Sequence, residues 1–97
     1  MREVEYHPKA GSDARGLLEF YEVVSKELAD EFWDELLAAI THAREFPERH
    51  HFDRTGRRRG NLKRFPVHFL FRILPHAIRI TAIRHDRQDP RYGVGRR

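Results

Sequence analysis

Four basic side chains in the second half of the sequence have the types needed to cleave RNA without a metal ion. Such cleavage requires a base for the 2′-hydroxyl, cations for the charged transition state and an acid for the leaving oxygen. His85 suits either proton-transfer role because the reference pKa of histidine is about 6.5. Arg72 and Arg84 can hold the phosphate, and Lys63 can assist from a neighbouring strand. If the protein is a ribonuclease, its candidate catalytic residues are His85, Arg84, Arg72 and Lys63.

These side chains also have structural interpretations that the sequence leaves open. His85 precedes Asp86 at the predicted end of a strand and can simply hydrogen-bond within a turn. Arg72 and Arg79 can pair with carboxylates or flank the sheet as edge charges. Tyr92 can stack on a base, as aromatic residues do in single-strand recognition, or it can anchor the tail by packing.

The charge of the chain is divided unevenly between its two halves. Residues 1–48 carry five Lys/Arg against twelve Asp/Glu, a net charge of −7, and residues 49–97 carry fourteen against three, a net charge of +11. Together these give the +4 of the whole chain. A nucleic acid or an acidic protein surface is therefore an expected partner, and a solvated basic face is the alternative. The candidate contacts with such a target are Arg58, Arg59, Arg64, Arg79, Arg87 and Tyr92.

Composition narrows the class of protein. The 97 residues are enough for one domain, residues 1–97, with a single core. There is no cysteine, which excludes disulfides and thiolate metal sites. No apolar run approaches the roughly 20 residues of a membrane span, so we expect a cytoplasmic protein with no membrane partner. The histidines at 42, 50 and 51 lack the spacing of a zinc motif, and we expect no metal and no cofactor.

Period-2 alternation in the second half of the chain predicts strands. In residues 67–74 and 78–83 apolar side chains occupy every second position, as they do on one face of a strand. The two segments are joined by a short turn, which is typical of a β-hairpin. Residues 60–65 predict a shorter strand before Pro66. These segments predict a three-stranded antiparallel meander with arginines beside one surface.

Helical periodicity dominates the first half. A short strand at 3–7 is followed by apolar residues at three- and four-residue spacing, which predict helices over about 12–24 and 26–46 with Ser25 capping the second. Residues 48–59 predict a polar loop, and residues 93–97 a frayed tail. The fold class is α+β, in the order β-α-α-β-β-β, with a two-helix hairpin packed on one face of a small antiparallel sheet. The expected shared core includes Val4, Tyr6, Phe69, Phe71, Ile78 and Ile80.

Several short motifs, taken together and in order, resemble the RelE/ParE toxin superfamily. The motifs are Tyr6-His7-Pro8-x-Ala10, an acidic amphipathic helical pair, Arg59-Gly60-Asn61-Leu62-Lys63-Arg64-Phe65-Pro66, Ala82-Ile83-Arg84-His85 and Arg87-x-Asp89-Pro90-x-Tyr92. The members of this superfamily are the toxin halves of bacterial type II toxin–antitoxin systems, often labelled plasmid stabilisation proteins. The resemblance implies the same β-α-α-β-β-β fold.

The resemblance implies two alternative activities. ParE-like members inhibit DNA gyrase, whereas RelE-like members cleave messenger RNA on the ribosome. The Lys-Arg-Phe-Pro segment and the Arg-x-Asp-Pro-x-Tyr ending look closer to the ParE-like branch, although Gly93 stands where the family often has tryptophan. A non-toxic basic module that binds nucleic acid is the third alternative.

The resemblance also implies a cognate antitoxin as partner, in a toxin–antitoxin hetero-oligomer. Such antitoxins are partly disordered and fold on binding, as a helix in a groove or as an added strand. The apolar surface beside Trp33 is the expected docking groove. The expected antitoxin contacts are Trp33 and Arg57.

Overall fold

The computed structural model describes residues 2–97, which contain four strands and two long helices. The strands are β1 (Glu3–Tyr6), β2 (Arg58–Asn61), β3 (Val67–Ile73) and β4 (Ala77–His85), and the helices are α1 (Pro8–Val24) and α2 (Lys26–Glu45). A short 3-10 helix, Pro47–Arg49, follows α2. The predicted α+β order, β-α-α-β-β-β, is confirmed. Within the described residues, no helix is long and apolar enough to cross a membrane.

Capping explains where the helices begin. The imidazole Nδ1 of His7 accepts a hydrogen bond from the amide of Lys9 at 3.1 Å, and Pro8 takes the first helical position, where an amide donor is not needed. Helix α1 therefore begins at Pro8 and not near residue 12. The predicted break at Ser25 is confirmed, because its backbone is extended and its hydroxyl accepts a hydrogen bond from the Leu28 amide at 3.0 Å.

The sheet has the strand order β1-β4-β3-β2. Strands β2, β3 and β4 form the predicted antiparallel meander. Strand β1, however, pairs in parallel with β4, with Val4 opposite Ile78. The sheet is mixed, so the prediction of a wholly antiparallel sheet is wrong in this respect. The reason is that the complete helical hairpin separates β1 from its partner, and no tight turn fixes its direction.

An irregularity between β3 and β4 decides which side chains face the helices. Leu70 pairs with Ala82 and Phe71 pairs with Ile80, so Thr81 is an extra residue in β4. Beyond this bulge the alternation changes phase. Ile83 therefore packs in the core, whereas strict alternation would have placed it on the opposite face.

The core lies between the helical hairpin and one face of the sheet. Its members include several large side chains that are at most 3% exposed: Phe32, Leu36, Ile40, Phe69, Phe71, Ile78, Ile80 and Ile83. Val4 is partly buried against this cluster. Tyr6 is 43% exposed, so its predicted place in the core is wrong. Tyr6 ends an edge strand, where only one neighbouring strand is present to cover it.

Candidate functional site

The sheet face that points away from the helices is covered by the end of the chain. We call this the outer sheet face; it carries His68, Leu70, Ala82 and Arg84, all at most 2% exposed. Hydrogen bonds join Arg84 to main-chain oxygens at residues 90 and 92, and the contact between Gly93 and Ala82 places the tail against the sheet. The prediction of a frayed tail at 93–97 is therefore wrong.

Arg84 joins the sheet to the tail. Its Nη1 donates to the carbonyl oxygen of Pro90 at 2.7 Å and to that of Tyr92 at 3.2 Å, and its Nε donates to Nε2 of His68 at 3.0 Å. A carboxylate oxygen of Asp53 lies 4.0 Å from Nη2. Burial lowers the pKa of the guanidinium, and the charge of Asp53 opposes that effect. Nε and Nη1 of Arg84 therefore donate to groups inside the protein, and Nη2 faces the carboxylate of Asp53.

His68 continues this network to the carboxylate of Asp86. Because Nε2 of His68 accepts from Arg84, the hydrogen on the ring lies on Nδ1, which donates to Asp86 Oδ1 at 2.8 Å. Burial lowers the pKa of His68, the hydrogen bond to Asp86 opposes that effect, and the charges of Arg59 and Arg84 reinforce it. The imidazole is consequently held in its neutral form.

Asp13 of α1 anchors the other side of the tail. Its carboxylate, with a side chain only 5% exposed, accepts hydrogen bonds from Arg96 Nη1 at 2.6 Å, from the Tyr92 hydroxyl at 2.6 Å and from the Ile83 amide at 3.1 Å. Arg96 also donates to the carbonyl of Thr81 at 3.1 Å. Strand β1 ends opposite Ile80, so these contacts satisfy the edge of β4 that β1 leaves unpaired.

Gly93 allows the tail to approach the sheet. Its φ of +77° is a conformation that residues with a side chain rarely adopt, and a Cβ built there would lie 2.9 Å from the Cβ of Ala82. Glycine at this position therefore has a structural role, and a tryptophan would not fit in its place.

The arginines at the far end of the outer sheet face also meet the tail. Arg72 and Arg79, which are opposite each other in the register, donate to the main-chain oxygen of Arg97 at 3.1 and 2.9 Å. Arg57 donates to the main-chain oxygen of Arg96 at 3.0 Å. Burial and the nearby positive charges of Arg72 and Arg97 lower the pKa of Arg57.

The four candidate catalytic residues are not brought together. His85 pairs with Val67, five residues along β3 from Arg72, which corresponds to about 17 Å at a rise of about 3.3 Å per residue. Nδ1 of His85 accepts a hydrogen bond from the amide of Arg87 at 3.1 Å, a turn contact. Lys63 is exposed after β2, and its amide is bound by Glu35 of α2 at 2.7 Å.

The candidate target contacts fall into two groups. Arg59 pairs with Asp53 at 3.3 Å and with Asp86 at 3.5 Å, and Arg64 pairs with Glu31 at 2.9 Å. Arg58 and Arg87 are not in a salt bridge within the described residues. Fewer of these arginines than expected are therefore available to an anionic partner, because some of them pair with carboxylates of this chain.

Trp33 lines an apolar groove of about 380 Å³ between the helical hairpin and the edge of the sheet. Its exposed apolar members are Tyr6, Trp33 and Leu37, which are 43%, 36% and 42% exposed. Arg57 lies beside the tail and is not among the groove residues. The two predicted antitoxin contacts are therefore on different surfaces.

His42 in the last turns of α2 and His50 in the segment after it form a pair. Nδ1 of His42 lies 3.2 Å from Nε2 of His50, whose Nδ1 contacts the carbonyl oxygen of Arg59 at 3.3 Å. Across residues 2–97, no three His, Asp or Glu side chains are grouped so that they could hold a metal ion.

Sequence reasoning missed Asp13, His68, Asp86 and Arg96, which hold the tail. Asp13 and Arg96 are 83 residues apart, and Asp13 was interpreted only as part of a helix start. One signal in the sequence could have identified Asp13. It lies on the face of α1 that packs on the sheet, and a buried carboxylate there requires a partner.

The comparisons with known proteins bear on the fold. No protein-family description and no curated protein matches this sequence. Among solved structures, a chain described as "Chromosomal ParDE TA system from P. aeruginosa" is similar, with a TM-score of 0.76 at 20% identity, over 88% of this chain and 96% of that chain. At this identity the likeness establishes the fold alone. The chain therefore has the fold of that ParDE-system chain, two helices packed on a four-stranded mixed sheet, as the resemblance to RelE/ParE toxins led us to expect.

Proposed function

We propose that this chain is the toxin of a type II toxin–antitoxin pair of the ParE-like kind. It would inhibit bacterial growth through DNA gyrase and be neutralised by a cognate antitoxin. The observation that carries the proposal is the fold shared with the ParDE-system chain over 96% of that chain's length.

The arrangement of the candidate catalytic residues supports the ParE-like branch over the RelE-like one. Metal-independent RNA cleavage needs its base and its phosphate-binding cations around one phosphate. Here Arg84 is 2% exposed beneath the tail, His85 bonds within a turn, and Lys63 lies beside α2. A protein that acts by binding its target does not need these groups to converge.

The groove around Trp33 is a suitable docking site for the antitoxin. An amphipathic helix can place its apolar side chains against Tyr6, Trp33 and Leu37, which are exposed together here. Strand β1 is also an edge of the sheet, so an extended segment can pair with it.

Inducible expression in a bacterial host tests the proposal. Growth should stop on induction and resume when the product of the adjacent small open reading frame is co-expressed. Trp33→Ala should still arrest growth but should weaken antitoxin binding by about 30-fold or more, because a buried aromatic anchor contributes at least about 2 kcal/mol. The control is Val23→Ala, at a position 88% exposed at the tip of the hairpin, and it should bind normally.

Absence of growth arrest with folded protein would contradict the proposal. Equal antitoxin affinity in the Trp33 and Val23 variants would show that the groove around Trp33 is not the antitoxin-binding site.

A further inference from the structure

The segment that follows α2 and runs into the start of β2, residues 46–59, carries two arginine–aromatic pairs on its surface. We call it the arginine–aromatic loop. The guanidinium carbon of Arg58 lies 4.3 Å from the ring centroid of Phe52, and that of Arg49 lies 4.1 Å from the centroid of Phe46. Phe52 is 65% exposed, which is unusual for a phenylalanine that is held in an ordered turn.

The backbone of the loop is built to hold this pair. Phe52 and Arg58 form an antiparallel bridge, and Nη1 of Arg58 donates to the carbonyl of His50 at 2.9 Å. The turn between them is closed by the amide of Asp53 on the carbonyl of Arg57 at 2.7 Å, and Gly56 adopts the φ of +85° that the turn requires. Arg58 is thereby fixed over one face of the ring, while the rest of the ring remains open to solvent.

The loop also presents positive charge that no carboxylate neutralises. Arg49, Arg54 and Arg58 take part in no salt bridge within residues 2–97. The carboxylate of Asp53 lies in the same region, but it accepts from Arg59 at 3.3 Å and from the Thr55 amide at 3.2 Å. Burial alone would raise the pKa of Asp53, and these hydrogen bonds outweigh it and lower the pKa.

Beside Phe52 the surface forms a shallow groove of about 470 Å³. Two of its lining residues, Arg49 and Arg54, are cations exposed to solvent. The complete lining is Arg49, His50, His51, Phe52, Asp53, Arg54, Arg59 and Asn61.

We propose that the arginine–aromatic loop binds single-stranded nucleic acid. An unpaired base stacks on the open face of Phe52, and Arg49 and Arg54 contact the flanking phosphates. An exposed ring beside arginines that have no salt bridge suits a single strand, which offers both unstacked bases and phosphates. In a duplex the bases are stacked on each other, so a protruding phenylalanine reaches the face of a base only by unstacking a base step, which weakens binding relative to a single strand. An acidic peptide would use the arginines but not the ring.

This site is separate from the groove around Trp33 that the proposed function assigns to the antitoxin. It lies in the loop after α2, whereas the antitoxin groove is lined by α1, α2, β1 and β4. Phe52→Ala should therefore leave antitoxin binding unaffected, and failure of either proposal is recognised independently of the other.

The test is fluorescence anisotropy with labelled oligo-dT and oligo-U of about 12 nucleotides, and with a duplex of the same length. We expect both single strands to bind more tightly than the duplex. Phe52→Ala should weaken binding by about 5- to 100-fold, the range for loss of one base–aromatic stack, with the salt dependence unchanged. Phe52→Trp should restore the affinity. Arg54→Ala should instead reduce the salt slope by about 0.7, the contribution of one phosphate contact on a single strand.

Two control variants match these changes in residue type. Phe20→Ala removes another exposed phenylalanine, 61% exposed on α1, and Arg91→Ala removes a highly exposed arginine that pairs with Asp89. Both should bind like the unaltered protein. Thermal unfolding should give the same midpoint for Phe52→Ala and Phe20→Ala.

Three results would overturn the proposal. The first is equal affinity of Phe52→Ala and Phe20→Ala for the single strands. The second is duplex binding as tight as single-strand binding. The third is displacement of the oligonucleotide by polyglutamate at the same charge concentration, which would identify the loop as a site for acidic peptides.

Discussion

Arginines occupy two regions of this molecule with opposite surroundings. On the outer sheet face, the side chains of Arg84 and Arg96 are only 3% and 10% exposed, and they donate to main-chain carbonyls, to His68 and to Asp13. In the arginine–aromatic loop, Arg49 and Arg54 are exposed and have no salt bridge within residues 2–97, and Phe52 in the same loop is exposed. The sequence alone does not separate the two groups.

The difference shows that positive charge in a sequence does not locate a binding surface. A buried arginine that bonds to carbonyls stabilises the fold, because its removal leaves those carbonyls unpaired. An exposed arginine without a partner contributes little to stability and remains available to a ligand. Counting the hydrogen-bond partners of each side chain therefore separates structural arginines from those free to bind.

The largest expected effect is the loss of stability in Arg84→Ala. This change leaves the carbonyls of Pro90 and Tyr92 and a nitrogen of His68 without their donor, so we expect a decrease of about 2–4 kcal/mol in the free energy of unfolding. The matched change in the loop, Arg54→Ala, should stay within about 0.5 kcal/mol. Urea denaturation measures both, and equal destabilisation would contradict the division into structural and exposed arginines.

A smaller effect is expected at the anchor of the tail. Asp13→Asn removes the charge that Arg96 and the Tyr92 hydroxyl share, and should cost about 1–3 kcal/mol. Hydrogen exchange should then be faster at the amide of Arg96, which is bonded to Gly93. The control, Asp34→Asn, changes an exposed carboxylate of α2 and should alter neither quantity. Unchanged exchange in Asp13→Asn would show that the carboxylate does not hold the tail.

The smallest expected effect is a pH dependence from His68. The pKa of His68 is lowered in the folded protein by burial, so between that value and the unfolded value of about 6.5 the unfolded chain binds more protons. The contribution of neutral His68 to the free energy of unfolding is therefore fully present above about pH 6.5. It decreases as the pH falls, by at most about 1.4 kcal/mol per pH unit for one proton. His68→Gln should reduce this slope, as measured by urea midpoints from about pH 5 to 7.5. An unchanged slope would assign the titration to another group, such as His50, whose pKa is also lowered by burial.

The local patterns in the sequence predicted most of the fold. Alternation identified the strands of the meander, and Ser25 marked the break between the helices. The start of α1 was missed because histidine is not a common helix cap, although Pro8 fits the first helical position. Long-range features were not predictable: the bulge at Thr81 and the parallel pairing of β1 depend on strands that are distant in sequence.

The candidate sites were less predictable than the fold. Residue type and order suggested a catalytic set, but His85 and Arg72 lie near opposite ends of β3 in the register, and Arg84 is under the tail. The tail was missed because its partners, Asp13 and Thr81, are contributed by elements far away in the chain. An apolar groove was expected beside Trp33, and Trp33 does line one.

A DNA supercoiling assay with purified gyrase tests the central claim most directly. If the chain is a ParE-like toxin that acts without catalysis by His85, the protein and its His85→Ala variant should inhibit supercoiling to the same extent. Messenger RNA from cells expressing either protein should carry no new 5′ ends. Undisturbed supercoiling, together with transcript cleavage that His85→Ala abolishes, would contradict the account and assign the protein to the RelE-like branch.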